Sequence, residues 1–291
     1  GGGSVLDTAK VVNICLSLGG SLLDYQGLNN LTERLKPFLA IPTTAGTGSE
    51  VSMVAMVKDN QEGKKLCFGS RFLAPDAAIL DPTLIVSLPA KLTAATGLDA
   101  VTHGIEAFSS PISNSPFTET LCLQSLKLMF EFLPRATTNG ADLEARSATL
   151  VASTMAGVAF TNAGVGIVHA LAHATGAKFG THHGTTNSIF LPHGMSFNLD
   201  AAADRYAQVA RYLGVTKHSD DLKAAQDLID AVVQLSQKVG LPARLKDIGV
   251  PELKNGSLDD LVLLASSDPA IMFNPKESSN EDLIGLYERA Y

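Results

Sequence analysis

Asp99 and His103 stand four residues apart in GLDAVTHGIEA, and His169 and His173 stand four apart in GIVHALAH. His183 follows in GTHHGTTN. Residues four apart on a helix share one face, with Cβ atoms about 5–6 Å apart. A carboxylate and several imidazoles offered in this way make a site for a divalent metal ion. Five of the chain's seven histidines, at 169, 173, 182, 183 and 193, fall between Val168 and Gly194. The donor types suit iron, zinc, nickel or cobalt and exclude an all-oxygen calcium cage. HALAH lacks the glutamate of H-E-x-x-H, which removes a zinc-protease reading. A structural zinc site usually uses thiolates and closes at four ligands. No cysteine stands near these histidines, so the pattern points to a catalytic site with room for a substrate oxygen. Taken singly, Asp99 reads as well as a surface charge, and each histidine as a packed core residue. The two i,i+4 pairs together with His183 carry the metal reading.

Helices must position these residues, and the sequence supplies them. PAKLTAATGLDAVTHGIEAF, TETLCLQSLKLMFEFL, EARSATLVASTMAGVAF and VGIVHALAHATGA read as helical. DRYAQVARYLGV and DLKAAQDLIDAVVQLSQKVG show a 3.6-residue period, with Gly214 and Gly240 as terminators. EDLIGLYERAY closes the chain as another helix. The texture before Pro82 differs. Buried strands are expected over Phe38–Ile41 and in DAAILDP, and further strands in VSMVAMVKD and KKLCF. GGGSVLDTAKVVNICLSL reads as a glycine turn feeding an amphipathic helix, with Asp7 in its first turn. A helix N-terminus behind glycines is an anion site. A strand is expected before such a turn and none precedes it, so the chain reads as one missing its beginning. The expected organisation is an α/β part over residues 1–82 and an all-helical part over 83–291.

Composition sets the outer limits. The chain has 291 residues, 45% hydrophobic and 18% charged, about two domains' worth. A net charge of −7 argues against a nucleic-acid partner. No apolar run reaches the roughly 18 residues that span a bilayer, and no signal peptide is visible. Cys15, Cys67 and Cys122 match no zinc or disulfide framework. The expectation is a soluble cytoplasmic protein without a membrane partner.

These motifs, in this order, resemble the iron-containing (group III) alcohol dehydrogenases over nearly the whole chain. GGGSVLDTAK resembles that family's pyrophosphate-binding loop and helix, and IPTTAGTGSE its second cofactor loop. ATGLDAVTHGIEA and VGIVHALAHATGAKFGTHHG resemble its two metal signatures. The resemblance implies a partial Rossmann-like dinucleotide-binding domain, then an all-helical metal-binding domain, in the dehydroquinate synthase-like superfold. It implies Asp99, His103, His169 and His183 as metal ligands, with His173 near the substrate. It implies that Gly2, Gly3 and Ser4 hold the cofactor pyrophosphate. Thr43, Thr44, Thr47 and Ser52 would then contact the dinucleotide, and Lys65 would reach its ribose. The ion would be Fe(II), or zinc by displacement, and the cofactor NAD or NADP.

The implied chemistry interconverts an alcohol and an aldehyde or ketone. The metal polarises the substrate oxygen, hydride passes between carbinol carbon and nicotinamide, and His173 relays the proton. A homodimer is also implied. The family carries roughly ninety residues before the GGGS turn, including the residue that tells NAD from NADP. A glycerol dehydrogenase-like sister enzyme, or a remnant that binds metal without turnover, are the alternatives. His182 stands where the family often has proline. Phe108, Phe160 and Phe179 either border the pocket or pack in the core.

Overall fold

The computed structural model describes residues 1–59, 64–112 and 115–291. The chain opens with helix α1 (Gly3–Leu18), started by Gly2, whose carbonyl accepts from Val5 and Leu6 N–H. Asp7 lies one turn deeper than expected. It does not cap the helix: it accepts from Ser49 Oγ and Met56 N. Nor is α1 cleanly amphipathic. Leu6, Val11 and Ile14 are buried, yet Val5, Val12 and Leu16 on other faces are exposed.

Short strands β1 (Gly27–Leu28) and β2 (Leu39–Ala40) precede the hairpin strands β3 (Val54–Asp59) and β4 (Lys64–Gly69); β5 (Ala77–Ala78) follows. β3 and β4 pair antiparallel from Val54↔Gly69 to Asp59↔Lys64, and β1 joins β4 in parallel. β2 and β5 form a separate parallel pair. The expected buried strands at Phe38–Ile41 and in DAAILDP are therefore shorter and more exposed than their composition suggests. Ala40 is buried, but Leu39, Ile41 and Ile79 are exposed. An apolar run buries only where a neighbour covers it, and among the described residues each of these two strands pairs on one edge only.

After Pro82 every long element is helical: α2 (Ala90–Ser109), α3 (Pro116–Thr138), α4 (Leu143–Ala163), α5 (Ile167–Phe179) and α6 (His183–Phe197), then α7 (Leu199–Leu213), α8 (Asp221–Lys238), α9 (Asn255–Ser266) and α10 (Asn280–Ala290). Gly214 ends α7 in the left-handed conformation, and Gly240 follows α8 with a positive φ. Neither α6 nor α9 is evident from periodicity. α2 runs through the middle, buried continuously from Thr93 to Ser109. A helix buried all round must place its polar groups against partners. Arg146, itself buried, fixes where α2 begins by donating to Thr93 Oγ1 and to the Leu88 and Gly140 carbonyls. Among the described residues no single helix is long and apolar enough to cross a membrane.

Candidate metal centre

Three helices converge on one point. Asp99, His103 and Glu106 lie along one stripe of α2 at i, i+4 and i+7. α5 presents His169 and His173, and α6 starts at His183 and carries Asn187 one turn later. α6 comes close because Gly184 lacks a side chain: a Cβ there would collide with the carbonyl of Ala95 on α2. Asp99 Oδ1 stands 3.5 Å from His183 Nε2 and 3.8 Å from His169 Nε2. One ligand atom from each of Asp99, His169 and His183 lies within 4.8 Å of the others. Metal bonds of about 2.0–2.2 Å at tetrahedral angles separate their ligand atoms by about 3.4 Å, so the two short spans suit one ion.

The groups behind these atoms fit an ion as well. His169 Nδ1 is hydrogen-bonded to Glu106 Oε2, while Glu106 Oε1 accepts from Val168 N at 2.8 Å. This leaves His169 Nε2 for the centre, the carboxylate–histidine–metal arrangement. Burial alone would lower the His169 pKa, but Glu106 and Asp99 outweigh it and raise it. Asn187 Nδ2 donates to Asp99 Oδ1 at 2.7 Å and lies 3.2 Å from Nε2 of both His169 and His183. Among the described residues His103 Nδ1, His183 Nδ1 and Asn187 Oδ1 are buried without hydrogen-bond partners, so polar groups at this centre are left open for a bound group. Burial holds His103 down at about 4, and burial with the charge of Lys65 holds His183 well below its ordinary value. Both rings are thus neutral near pH 7, as metal ligands must be.

His103 stands a step away. Its ring stacks on His169 at 4.6 Å and on Phe160 at 4.3 Å, and it is outside the close three-residue group. His173 is also outside that group, with its ring stacked on His183 at 5.1 Å. His182 caps α6, its Nδ1 accepting from Thr185 N at 3.4 Å. Of the three phenylalanines, Phe160 borders the centre. Phe108 is buried in the core under Arg205, and Phe179 packs against the core.

The expected cofactor residues form a second cluster. The Thr43–Ser52 loop lies against the start of α1: Thr43 N donates to Gly1 O, and a Cβ on Gly3 would meet Thr47. The same loop touches the helical part, because a Cβ on Gly46 would strike the Thr96 carbonyl. Thr44 faces Gly2. Ser4 is exposed, its carbonyl accepting from Thr8 Oγ1. Ser52 turns inward, its buried hydroxyl accepting from Lys10 Nζ at 2.9 Å and donating to Val54 O. Lys65 bridges the clusters. Burial lowers its pKa, and the charges that oppose this belong to Asp99, Asp268 and Asp7.

Sequence reasoning passed over Glu106, Asn187 and Asp268. Glu106 and Asn187 stand at helical spacing from His103 and His183, a signal that was available. Asp268 lies 95 residues from its partner His173, and no local pattern marks it.

Comparison with known proteins supplies the family. Residues 1–82 match the family model "Iron-containing alcohol dehydrogenase", and residues 93–291 match "Fe-containing alcohol dehydrogenase family, C-terminal". The NAD-dependent methanol dehydrogenase of Bacillus methanolicus is 38% identical over all of this chain, which spans 75% of that relative. The structure of an alcohol dehydrogenase from Oenococcus oeni matches with a TM-score of 0.95 at 36% identity, over 100% of this chain and 75% of that one. A sulfoacetaldehyde reductase from Bifidobacterium kashiwanohense, solved in complex with NAD+, matches with a TM-score of 0.85 at 32% identity, over 99% of this chain and 74% of that one. These neighbours share the partial Rossmann-like sheet and the helical part described above. The chain belongs to the iron-containing alcohol dehydrogenase family.

Proposed function

We propose that this chain interconverts a small alcohol and its aldehyde or ketone by hydride transfer to or from NAD(P), at the metal centre between α2, α5 and α6. The observation that carries this reading is the convergence of Asp99, His169 and His183 beneath the loop at Thr43–Ser52. Asp99, His169 and His183, with His103, would hold the ion, and Glu106 keeps His169 Nε2 free to face it. The ion is Fe(II), with zinc able to replace it. When bound, the ion would supply Lewis acidity to a substrate oxygen and the dinucleotide a hydride acceptor or donor.

The remaining work falls to the chain. Gly2 and Gly3 at the α1 N-terminus, with Ser4, would hold the pyrophosphate through backbone N–H groups. Thr43, Thr44, Thr47 and Ser52 shape the dinucleotide loop, and Lys65 reaches the ribose. His173 receives the hydroxyl proton at Nε2 during alcohol oxidation and returns it during reduction. The relatives named for methanol and sulfoacetaldehyde support a short, polar substrate. A cytoplasmic homodimer, and a division into an α/β part at 1–82 and a metal-binding part at 83–291, belong to the same reading.

A second reading, metal binding without turnover, is favoured by one observation: Ser52, expected at the dinucleotide, is buried and engaged by Lys10 Nζ at 2.9 Å. Fluorescence titration with NADH separates the two. Saturable binding below millimolar NADH, with alcohol-dependent NADH formation by the iron-loaded protein, supports the dehydrogenase. Metal retention with no dinucleotide binding at millimolar NADH supports metal binding without turnover.

A further inference from the structure

Among the described residues, His173 is the one histidine near the centre whose ring is fixed by a carboxylate from outside the three site helices. Its Nδ1 lies 2.8 Å from Asp268 Oδ2. Asp268 is itself held: its Oδ1 accepts from Ala270 N at 2.9 Å, capping the short turn Pro269–Phe273. That turn packs against α5, the helix that carries His173. Both side chains are mostly buried, with 14% exposure each. The turn is anchored a few residues on by Asn274, which exchanges hydrogen bonds with Asn198 and accepts from Ile167 N at the start of α5. The pair therefore rests on rigid supports at both ends.

This geometry selects one tautomer. A carboxylate only accepts, so Nδ1 of a neutral His173 carries the proton and Nε2 carries the lone pair. Nothing among the described residues engages Nε2. On the dehydrogenase reading given above, we infer that Asp268 is a positioning residue: it fixes the His173 ring and its Nδ1–H tautomer, so that Nε2 is available to take the hydroxyl proton. Asp268 does not exchange that proton. An alcohol oxidised at this centre would give its hydroxyl proton to the Nε2 lone pair and its hydride to the bound dinucleotide, with Asp268 holding the Nδ1–H in place. The proton leaves Nε2 to water before the next turnover.

The test uses the metal-loaded chain and four proteins: wild type, Asp268→Asn, His173→Ala and the double variant. The asparagine side chain of Asp268→Asn keeps an oxygen for Ala270 N–H, so the turn stays capped, and circular dichroism with metal content checks this. Nitrogen-15 spectra of the zinc-loaded protein read the tautomer without reference to activity. The expected wild-type signal is Nδ1–H, and Asp268→Asn shifts that population toward Nε2–H. In turnover, Asp268→Asn lowers kcat about 100-fold, with metal content and NADH affinity unchanged and alcohol KM altered little. In the His173→Ala background the same change costs nothing further, because residues acting as one unit are not additive.

An Nε2–H tautomer in the wild type overturns the inference. So does an equal kcat loss from Asp268→Asn with and without His173. A wild-type chain that binds metal and NADH yet turns over no alcohol overturns the dehydrogenase reading instead, and the His173 tautomer then still decides the role of Asp268.

Discussion

The helical part and the α/β part meet the demand for burial in opposite ways. From α2 onward one continuous core links α2 through α10, and the candidate metal centre is set inside it. The α/β part has a separate small core around Val11, Ile14, Leu31, Ala55 and Phe68. Around that small core lie exposed Val5, Leu16, Leu39 and Ile79. Apolar area removed from water stabilises at about 25 cal/mol per Å², so the contrast is energetic as well as visual. The expected metal ligands rest on the part that buries best. The cofactor loops rest on the part that buries least, and they are held in place largely by contacts with the helices, such as Gly46 against Thr96 and Gly48 against Gly157.

The sharpest way to break this comparison is His169→Ala. It removes an imidazole that Glu106 holds toward the centre, and the expected result is loss of both metal and turnover. A variant that keeps both, by metal analysis and an NADH-linked assay, removes the metal-centre assignment. Next come paired truncations in the two cores. Leu98→Ala on α2 should cost about 2–5 kcal/mol and lower the main unfolding transition. Ile14→Ala should act on the small core, so that amides of α1, β3 and β4 exchange faster while those of α2 keep their protection. Uniform loss of protection across both parts would mean that the two cores unfold as one.

Gly184→Ala has a smaller expected effect, about 1–3 kcal/mol of overpacking against the Ala95 carbonyl. It pushes α6 off α2, so metal affinity should fall more than thermal stability does. Unchanged metal affinity would show that the approach of α6 does not set the centre. The smallest effect belongs to Leu16→Ser on the exposed face of α1. Stability should change by no more than about 0.5 kcal/mol, while binding of a hydrophobic dye falls. A loss several times larger would show that this face is covered in solution.

What the sequence determined by itself was which polar residues share a helix face, and the helices that carry them. Asp99 with His103, and His169 with His173, are local i,i+4 patterns, and a helix imposes their shared face whatever surrounds it. The same holds for the two glycine-terminated helices α7 and α8, where amphipathic periodicity matched the structure. Sequence reasoning failed where burial depends on a distant neighbour. The run FLAI around β2 looks like a core strand, yet only Ala40 is covered on all sides. α6 is not legible from periodicity because its apolar and polar residues show almost no period, being buried nearly all round.

Tertiary structure alone decided which groups complete the centre. Asn187 joins Asp99, His169 and His183 because α6 packs on α2, and Asp268 reaches His173 across 95 residues. Asp99 and Asp268 act on the charge of Lys65 because β4 of the hairpin packs against α5. The physical reason is range. Helical spacing is a property of neighbouring residues. The carboxylate that fixes an imidazole's tautomer is selected by chain packing, which no short stretch of sequence contains.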